Sequence, residues 1–318
     1  MPPPIRHALI LSAGLGMRLR PLTTVRAKPA IPLAGDPIVR RIAQWLAASG
    51  AAELVVNLHY LPETIARVLG DGSDLGARVR YSWEQPAILG SAGGPRLALP
   101  ILEADTFFIV NGDTLTDVNL SQLAAAHNDS RGSGASITLA LTPNRDPARY
   151  GGVRLDDELR VVGFVGRGSP ASSFHFIGVQ AAAADVFRLL PERRPLNSIG
   201  DVYDRLIASR PGSIRGFVSD AAFWDIGTVA DYVATSKAFE ANAPGLSGRS
   251  GIDPTARVTD SIVWDDVEVG PNADLDACIL TDGVRVPAGA TYKRAILTRG
   301  AGGALDAIPL APLAKAHG

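Results

Sequence analysis

The sequence predicts an α/β protein with a Rossmann-like mixed sheet, followed by a short left-handed β-helix. From Ile5 to about Gly134, apolar strands alternate with amphipathic helical stretches, which is typical of a parallel sheet covered by helices. From Ile252 to Leu297, small or branched apolar residues recur at intervals near six, which favours the stacked coils of a β-helix. The predicted domains are residues 1–241, residues 242–300 and a tail of residues 301–318.

The first half is expected to contain four strands, with a helix between the first two. Ile38, Ile42 and Trp45 recur at helical spacing, so this stretch is expected to be a helix that packs on the sheet. The expected strands are Ala8–Leu11, Glu53–Leu58, Arg78–Trp83 and Phe107–Val110.

Beyond Gly134 the segments become richer in β-forming residues, and helical segments follow. The expected strands are Ala135–Leu141, Gly151–Leu155 and Phe174–Gln180, and the expected helices lie around 183–190, 201–209 and from Thr228 to about Ala241. The next segment, Asn242–Gly248, has the composition of a linker. The apolar repeat after it also fits ordinary β-hairpins, and the tail is expected to be an added helix or loosely held.

Composition limits the classes of protein that this chain can belong to. With 31 basic and 32 acidic residues the net charge is -1, so no overall basic field is available to hold a nucleic acid polymer. No uninterrupted apolar stretch reaches the roughly 18 residues of a membrane span, which predicts a cytoplasmic protein without a membrane partner. The single cysteine, Cys278, excludes an intrachain disulfide.

A loop of small residues, Leu11–Thr23 (LSAGLGMRLRPLT), directly follows the first expected strand. Ala13, Gly14 and Gly16 would let backbone N–H groups approach a polyphosphate, and Arg18 adds a fixed positive charge. A dinucleotide-binding fingerprint would need a third glycine where the chain has leucine, and a Walker loop would need Gly-Lys-Ser/Thr. Taken alone, the loop is as compatible with a structural turn as with a ligand site.

Lys28 begins the segment Lys28–Leu33, which follows the loop closely in the chain. Lys28 lies between the candidate phosphate loop and an apolar segment, from where it could reach the same anion. The alternative is a solvated surface lysine, because most lysines are exposed.

Two aspartates end short apolar runs. Asp113 follows Thr106–Val110, and ligands of open α/β sheets bind beyond the carboxyl ends of strands. Asp225 follows a second short apolar run and precedes the last expected helix of the first domain. As an alternative, Asp225 could cap that helix, although Thr228 is closer to the cap position.

These motifs resemble those of the sugar-1-phosphate nucleotidyltransferase family. The family signature is a Gly-rich loop, Arg-Leu-x-Pro-Leu-Thr and then Pro-Lys-Pro, and it is similar to Gly14–Thr23 with Ala27–Pro29. Ala13, Met17 and Ala27 depart from the usual residues, but none of these changes removes a charged group. The resemblance implies that Ala13, Gly14 and Gly16 contact a nucleoside triphosphate. It also implies that Arg18 and Lys28 neutralise charge as pyrophosphate leaves.

The aspartates resemble the metal pair of the same family, a Val-Asn-Gly-Asp motif and a Trp-x-Asp-x-Gly-Thr motif. The resemblance implies that Asp113, as a catalytic residue, and Asp225 hold one Mg²⁺ against the α-phosphate. Mg²⁺ prefers octahedral oxygen ligation, with one or two carboxylates and substrate phosphates among its ligands.

The stretch Trp83–Pro95 resembles the part of the family that meets the base and ribose. Gln85 is a candidate for paired hydrogen bonds to a base edge, or it caps the end of the strand. Gly90 belongs to a Leu-Gly-Ser-Ala-Gly sequence that is most similar to mannose-1-phosphate guanylyltransferases. Thymidylyl and uridylyl relatives use related sequences at this position.

The sugar side resembles the family less closely. Gly151 belongs to a Tyr-Gly-Gly-Val sequence similar to the family's Tyr-Gly-x-Val, where a glycine backbone contacts sugar hydroxyls, and Asn111 is the second candidate. The usual Phe-x-Glu-Lys-Pro lacks its glutamate here. Arg167 stands near the place of the lysine, either as a ligand of the sugar phosphate or as a loop arginine in water. Phe174–Val179 resembles the muramic acid 1-phosphate uridylyltransferase branch.

The resemblance predicts a magnesium-dependent enzyme that joins a nucleoside triphosphate to a sugar 1-phosphate, with GTP and mannose 1-phosphate as the expected substrates. The alternatives within the class are a uridylyl- or thymidylyltransferase acting on another sugar 1-phosphate. A non-catalytic regulatory subunit and a nicotinamide dehydrogenase are alternatives of other classes. The β-helix is expected to support a homo-oligomer.

Overall fold

The computed structural model describes residues 4–240 and 250–310, so the predicted linker and the end of the tail lie outside the described residues. The described chain forms two compact units. The first contains the residues up to Gly14 together with Val39–Trp224, and the second contains Leu15–Ile38 together with the chain from Asp225 onward. The segment with the candidate Arg18 and Lys28 therefore groups with the C-terminal part of the chain. The predicted domain boundaries stay a prediction.

The first unit is built on a nine-stranded mixed sheet. Four neighbouring strands are parallel and follow one another across the sheet: Thr106–Asn111 (β1), His7–Leu11 (β2), Glu53–Leu58 (β3) and Arg78–Trp83 (β4). All four predicted strands are confirmed, two of them with the predicted bounds. Because the strands are parallel, the chain leaves all four at the same edge of the sheet.

The remaining strands of this sheet make it mixed. They are Ile137–Pro143, Gly152–Leu155, Val161–Val165, Phe174–Ala183 and Ile214–Val218. Phe174–Ala183 pairs antiparallel with β1 and joins the two halves of the sheet, and its register shifts between Phe176 and Gln180. The predicted mixed sheet is confirmed. The strands Val161–Val165 and Ile214–Val218 were not predicted, since both are short and lie between turn-rich segments.

A short ribbon lies apart from the main sheet. It pairs Thr114–Thr116, just after β1, with Phe223–Asp225. Asp117 and Ala222 join at one end of the ribbon: the Asp117 N–H donates to the Ala222 carbonyl at 3.4 Å, and the Ala222 N–H donates to Asp117 Oδ1 at 2.8 Å. The hydroxyl of Thr116 also donates to the Ala222 carbonyl at 2.7 Å.

Helices flank the sheet, as the alternation predicts. The α-helices of the two units are Ile38–Ala48, Pro62–Leu69, Gly90–Leu102, Leu120–Arg131, Asp185–Arg188, Tyr203–Ser209 and Val229–Glu240. The helix Gly90–Leu102 contains Pro95 and Pro100. Because proline usually interrupts helices, the sequence alone does not indicate a helix there. No helix within residues 4–240 and 250–310 is long and apolar enough to cross a membrane.

The second unit contains a stack of short parallel strands, called the strand stack here and formed by residues 251–299. Its strands lie in three columns: Gly251–Ile252, Glu268–Val269 and Arg285–Val286; Arg257–Thr259, Asp274–Asp276 and Thr291–Lys293; Ile262–Val263, Ile279–Leu280 and Ala295–Arg299. Partners in every column are 17 residues apart, as in Ile262 with Ile279 and Ile279 with Ile296. Apolar side chains such as Val267, Leu275 and Val284 are buried inside the stack. This arrangement is consistent with the predicted β-helix, and three intervals near six make up each 17-residue turn.

The tail departs from the expectation of a helix or a loosely held segment. Leu305–Pro309 forms a strand that pairs antiparallel with Ala295–Arg299. This pairing provides partners for an edge of the stack that would otherwise expose backbone N–H and carbonyl groups.

Burial of His127 in the helix Leu120–Arg131 generates a prediction about pH. His127 is fully buried, its Nδ1 lies 2.9 Å from Thr138 Oγ1, and burial with a smaller effect of Arg131 lowers its pKa to about 4. The unfolded chain therefore binds a proton below about pH 6.5 that the folded protein does not bind until about pH 4. The free energy of unfolding should fall by about 2 kcal/mol between pH 7 and pH 5 through this residue.

The measurement is denaturant unfolding of the wild type and His127→Gln at both pH values. The variant should lose less stability than the wild type between pH 7 and pH 5. An equal loss in the two proteins would contradict the buried neutral state of His127.

Candidate active site

In the first unit, three polar side chains tie together the ends of neighbouring parallel strands. The Ser12 N–H donates to Asn57 Oδ1, Asn57 Nδ2 donates to Glu84 Oε1 at 2.6 Å, and the Leu89 N–H donates to Glu84 Oε2 at 2.6 Å. Glu84 is fully buried, and this burial raises the pKa of its carboxyl group although both hydrogen bonds lower it. Gly94 belongs to the same cluster, because a Cβ there would lie 2.5 Å from Glu84 Oε1. The chain at Ser12, where the candidate phosphate loop begins, is therefore fixed to the next two strands.

Asn111 and Asp113 lie at the carboxyl end of β1, as predicted. Gly112 between them approaches the neighbouring strand: its N–H donates to the Leu11 carbonyl at 2.9 Å, and a Cβ would lie 2.6 Å from Ser12 Oγ. Asn111 packs against Gly178, which has a φ of 75° and where a Cβ would lie 2.7 Å from Asn111 Nδ2. Glycines on both sides thus allow the close packing that sets the position of Asn111.

The predicted base-side residues follow β4. Gln85 is exposed, and its carbonyl accepts from Arg193 Nη1 at 3.5 Å. Gly90 begins a helix with a φ of 74°, and the Leu196 carbonyl accepts from the N–H groups of Ala92 and Gly93 at 2.9 and 3.3 Å. A segment near Leu196 therefore satisfies early N–H groups of this helix. The nucleotide-binding roles of Gln85 and Gly90 stay predictions.

On the sugar side, Tyr150 borders a pocket of about 300 Å³ in the first unit. Tyr150, His175 and Phe223 form an aromatic wall, with ring centroids 4.3 Å apart for Tyr150 and His175 and 4.6 Å apart for His175 and Phe223. Three buried polar atoms of the lining lack a hydrogen-bond partner within the described part of the chain: Thr142 Oγ1, Asn144 Oδ1 and His175 Nδ1. A ring with several hydroxyl groups could both stack on this wall and satisfy these atoms.

Gly151 lies beside this pocket and is exposed. Its backbone makes a hydrogen bond with His175, and burial lowers the pKa of His175 to about 4. His175 is therefore neutral near pH 7. Arg167 lies in an exposed turn after Val161–Val165. Its exposure fits the alternative of a loop arginine in water, and its role as a sugar-phosphate ligand stays a prediction.

In the second unit, Gly16 and Lys28 lie next to each other. Gly16 has a φ of 62°, and a Cβ there would lie 2.7 Å from Thr23 Cγ2 and 3.1 Å from Lys28 Cβ. The Thr23 hydroxyl donates to the Gly16 carbonyl at 2.9 Å and closes the turn. Lys28 is only 8% exposed, so the alternative of a solvated surface lysine is wrong. Lys28 therefore lies beside the candidate phosphate loop, where a positive charge suits the binding of an anion.

Arg18 and Asp225 lie close together around Gly227 in the same unit. A Cβ at Gly227 would lie 3.2 Å from Asp225 Oδ2, 3.3 Å from Arg18 Nη1 and 3.3 Å from Asp231 Oδ2. A Cβ here would make tight contacts with all three charged side chains, so a glycine suits their convergence. Two motifs that are about 200 residues apart in the chain thus contribute to one cluster.

Thr228, not Asp225, caps the helix Val229–Glu240. Asp231 Oδ2 accepts from the Thr228 N–H at 2.9 Å and from its hydroxyl at 2.8 Å, while the Asp231 N–H donates to Thr228 Oγ1 at 3.2 Å. This reciprocal pattern is a capping box. The alternative role of Asp225 as the helix cap is therefore wrong.

Sequence reasoning missed Asn57 and Glu84 as residues that support the site. Asn57 lies near the end of a strand and Glu84 directly follows one, which is the same signal that identified Asp113. Gly178 was also missed, and its signal was a glycine within a β-forming run, which often marks an irregular strand.

Comparison with known proteins decides the family. A family model described as Nucleotidyl transferase matches residues 7–242. The chain belongs to the nucleotidyl transferase family. Within it, the mannose-1-phosphate guanylyltransferase of Mycobacterium tuberculosis is 33% identical over 302 residues, which are 90% of this chain and 83% of that protein.

Two further comparisons concern a shorter match and the fold. The N-acetylmuramate alpha-1-phosphate uridylyltransferase of Neisseria meningitidis is 42% identical over 114 residues, which are 36% of this chain and 49% of that protein. The crystal structure of HddC from Yersinia pseudotuberculosis has a TM-score of 0.64 at 23% identity, covering 74% of this chain and all of that chain, and it supports the fold. The predicted class of sugar-1-phosphate nucleotidylyltransferase is confirmed by the family and its curated relatives.

The two loop glycines generate matched predictions. Gly16→Ala should lower the free energy of unfolding by about 1–3 kcal/mol, because alanine would be strained at this positive φ and would contact Thr23. At Gly14 no heavy atom lies within 4 Å of the Cβ position, so Gly14→Ala should fold normally. It should nevertheless raise the KM for the nucleoside triphosphate about tenfold or more, by keeping phosphate oxygens away from the backbone.

Thermal unfolding and steady-state kinetics of both variants test this pair. A Gly14→Ala enzyme with the wild-type KM would remove Gly14 from the phosphate-binding loop. A Gly16→Ala enzyme of wild-type stability would contradict the strained turn.

Proposed function

We propose that this protein transfers GMP from GTP to mannose 1-phosphate, giving GDP-mannose and pyrophosphate, with Mg²⁺ as its metal. The phosphate chemistry of this proposal rests on an observation in the second unit. There Lys28 is buried beside Gly16, and Arg18 and Asp225 both lie next to Gly227. The guanidinium of Arg18, which is exposed, and the positive charge of Lys28, which is buried, suit a polyphosphate with several negative oxygens.

The chemical step needs no nucleophile from the protein. A phosphate oxygen of the sugar 1-phosphate attacks the α-phosphorus in line, and the bond from the α-phosphorus to the bridging oxygen breaks as pyrophosphate leaves. Arg18 and Lys28 offset the charge that develops on the leaving pyrophosphate. The loop at Ala13 and Gly14 would orient the phosphates through backbone N–H groups, which reduces the cost of reaching the in-line geometry.

The residues present fit a divalent metal, which members of this family generally use. Asp113 lies just after β1 in the first unit, and Asp225 ends a short strand where the second unit resumes. Their pairing is proposed from the two family-like motifs in the sequence. Within residues 4–240 and 250–310, no group of three or more His, Cys, Asp and Glu side chains is arranged to hold a metal. Two carboxylates supplemented by substrate phosphates are a donor set that suits Mg²⁺. When bound, the metal would polarise the α-phosphate and offset its charge.

Two relatives, which differ in identity and coverage, support different choices of base and sugar. The Leu-Gly-Ser-Ala-Gly sequence at Gly90 and the mannose-1-phosphate guanylyltransferase relative, which matches 90% of the chain, favour GTP and mannose 1-phosphate. The uridylyltransferase relative is more similar, but only over 114 residues. Together with the Phe174–Val179 sequence it makes UTP with a substituted sugar 1-phosphate the second candidate. In either case Asn111, Gly151 and the pocket at Tyr150 would meet the sugar.

The fold can be specified further in the same way. We infer that the strand stack is a β-helix, because three columns of parallel strands with a constant 17-residue register describe regular triangular coils. Its left-handed sense is proposed from the resemblance of residues 252–297 to the β-helix of guanylyltransferases. An experimental structure with coils of the opposite hand would contradict this assignment.

A pyrophosphate-release screen tests the substrates. Four nucleoside triphosphates are each combined with mannose 1-phosphate, glucose 1-phosphate and N-acetylmuramic acid 1-phosphate. GTP with mannose 1-phosphate should give the highest kcat/KM, because a pocket with fixed donors and acceptors for one base leaves them unpaired with another. Higher turnover of UTP or dTTP with every sugar phosphate would refute the guanylyl assignment, and the best UTP pair would identify the second candidate.

Substitution of the two aspartates tests the metal proposal. Asp113→Asn and Asp225→Asn keep the shape of the side chain but remove a negative charge that would offset the metal. Each should lower kcat by roughly a thousandfold or more. Each should also require more Mg²⁺ for half-maximal rate, while the melting temperature stays near that of the wild type.

The magnesium titration separates the roles of these residues, and the control is Asp274→Asn, which removes a carboxylate that pairs with Arg257 in the strand stack. The control should change stability more than the response to Mg²⁺. Near-normal turnover of Asp113→Asn or Asp225→Asn at low Mg²⁺ would exclude that residue from the metal site.

A further inference from the structure

Arg26 lies between Arg18 and Lys28 in the sequence, but its guanidinium group binds the strand stack. Arg26 Nε donates to Asp282 Oδ2 and Nη2 donates to Asp282 Oδ1, both at 2.6 Å, and Nη2 also donates to Asp265 Oδ2 at 2.5 Å. Its side chain is only 12% exposed. The guanidinium carbon lies 5.5 Å from the ring centroid of Trp264, which adds a cation–π contact. Most contacts of the Arg26 guanidinium are therefore with residues more than 235 positions away in the chain.

The stack holds the same segment at a second point. Trp264, which is fully buried, donates from Nε1 to the Tyr232 hydroxyl at 2.9 Å, and that hydroxyl donates to the Pro32 carbonyl at 2.7 Å. Lys28 lies in the chain between Arg26 and Pro32. Its short helical turn is therefore fixed on both sides by contacts that end in the strand stack.

The electrostatics make Arg26 hard to replace. Asp265 and Asp282 lie side by side, with the Asp265 N–H donating to Asp282 Oδ1 at 3.3 Å. Burial raises the pKa of Asp282 and Arg26 lowers it, so the guanidinium favours the charged form that it binds. Without Arg26, two carboxylates would face each other in a partly buried site without their countercharge. Lysine would restore the charge but not the two parallel hydrogen bonds.

We propose that Arg26 is a positioning residue for triphosphate binding: clamped by Asp265 and Asp282 of the strand stack, it fixes the segment that carries Arg18 and Lys28. The strand stack would then contribute to catalysis from within its own chain. The proposal rests on the proposed function in one respect, namely that Arg18 and Lys28 bind the triphosphate.

The test is the kinetics of Arg26→Gln, Arg26→Lys and Asp282→Asn in the full chain. Arg26→Gln should raise the KM for the nucleoside triphosphate at least tenfold and change the KM for the sugar 1-phosphate less than twofold. Arg26→Lys should recover part of this loss, and Asp282→Asn should resemble Arg26→Gln. A merely structural role would instead lower the melting temperature and leave the two KM values in their original ratio, and that result would overturn the proposal.

The matched control is Arg257→Gln. Arg257 also makes a bidentate pair within the strand stack, donating to both carboxylate oxygens of Asp274 at 2.9 and 3.0 Å, but its side chain is 66% exposed. Arg257→Gln also removes a positive charge that pairs with a carboxylate of the strand stack. We expect wild-type KM values for both substrates of this variant. A control that raises the triphosphate KM as much as Arg26→Gln would overturn the specific role of Arg26.

Hydrogen–deuterium exchange separates this proposal from the proposed function, because it needs neither substrate nor turnover. Backbone amides of residues 15–33 should exchange at least tenfold faster in Arg26→Gln and Asp282→Asn than in the wild type and in Arg257→Gln. If the wild type turns over none of the substrates while this exchange increases, the proposed function fails and the fixation of the segment stands. Unchanged exchange of residues 15–33 in both variants overturns the proposal. If Arg26→Gln does not fold, Arg26→Lys and Asp282→Asn decide by the same criteria.

Discussion

The parallel pairing of four strands is the constraint on which the candidate site residues of the first unit depend. It brings the chain at Ser12, Asn57, Glu84 and Asn111 out at one edge of the sheet, where no further strand can satisfy the polar groups. Asn57 and Glu84 satisfy them with side-chain hydrogen bonds, and Glu84 remains fully buried in doing so. A buried carboxyl group that holds two donors leaves little freedom to the loop ends, so the residues that follow the strands are presented in a fixed arrangement.

The candidate site residues of the second unit depend on charge, and residues that are distant in the chain provide that charge. The segment 15–38 contains short 3₁₀ turns at Met17–Leu19, Leu22–Thr24 and Lys28–Ala30, which have few backbone bonds of their own. Arg26 and Pro32 fix it through Asp282 and Tyr232, and Gly227 lets Asp225 approach Arg18. An irregular segment can hold a charged side chain in place only if something rigid supports it. Here the regular register of the strand stack provides that support.

The features that could be predicted are those whose signal is local. The strand Glu53–Leu58 and the helix beginning at Ile38 follow from apolar spacing over a few residues, and Asp113 follows from its place after an apolar strand. The helix Gly90–Leu102 could not be predicted in this way, because its two prolines and its glycines oppose helix formation and tertiary contacts outweigh them. The interval near six in the C-terminal region was a local signal, whereas the 17-residue turn results from three unequal sides that only the stacked coils reveal.

The contacts of the two side chains distinguish Lys28 from Arg26 in a way that sequence could not. Both are basic residues of one short segment, and each could equally be a surface residue or a phosphate ligand when only its neighbours in sequence are known. The structure buries Lys28 beside the Gly16 turn, and it directs Arg26 to two aspartates 239 and 256 positions away. A charged group that is removed from water requires a partner, and the identity of that partner determines its role. Arg26 has two carboxylates as partners, so its proposed effect on bound phosphate is only through the position of its neighbours. Lys28 lies beside the turn at Gly16, and Arg18 directly follows that turn in the chain.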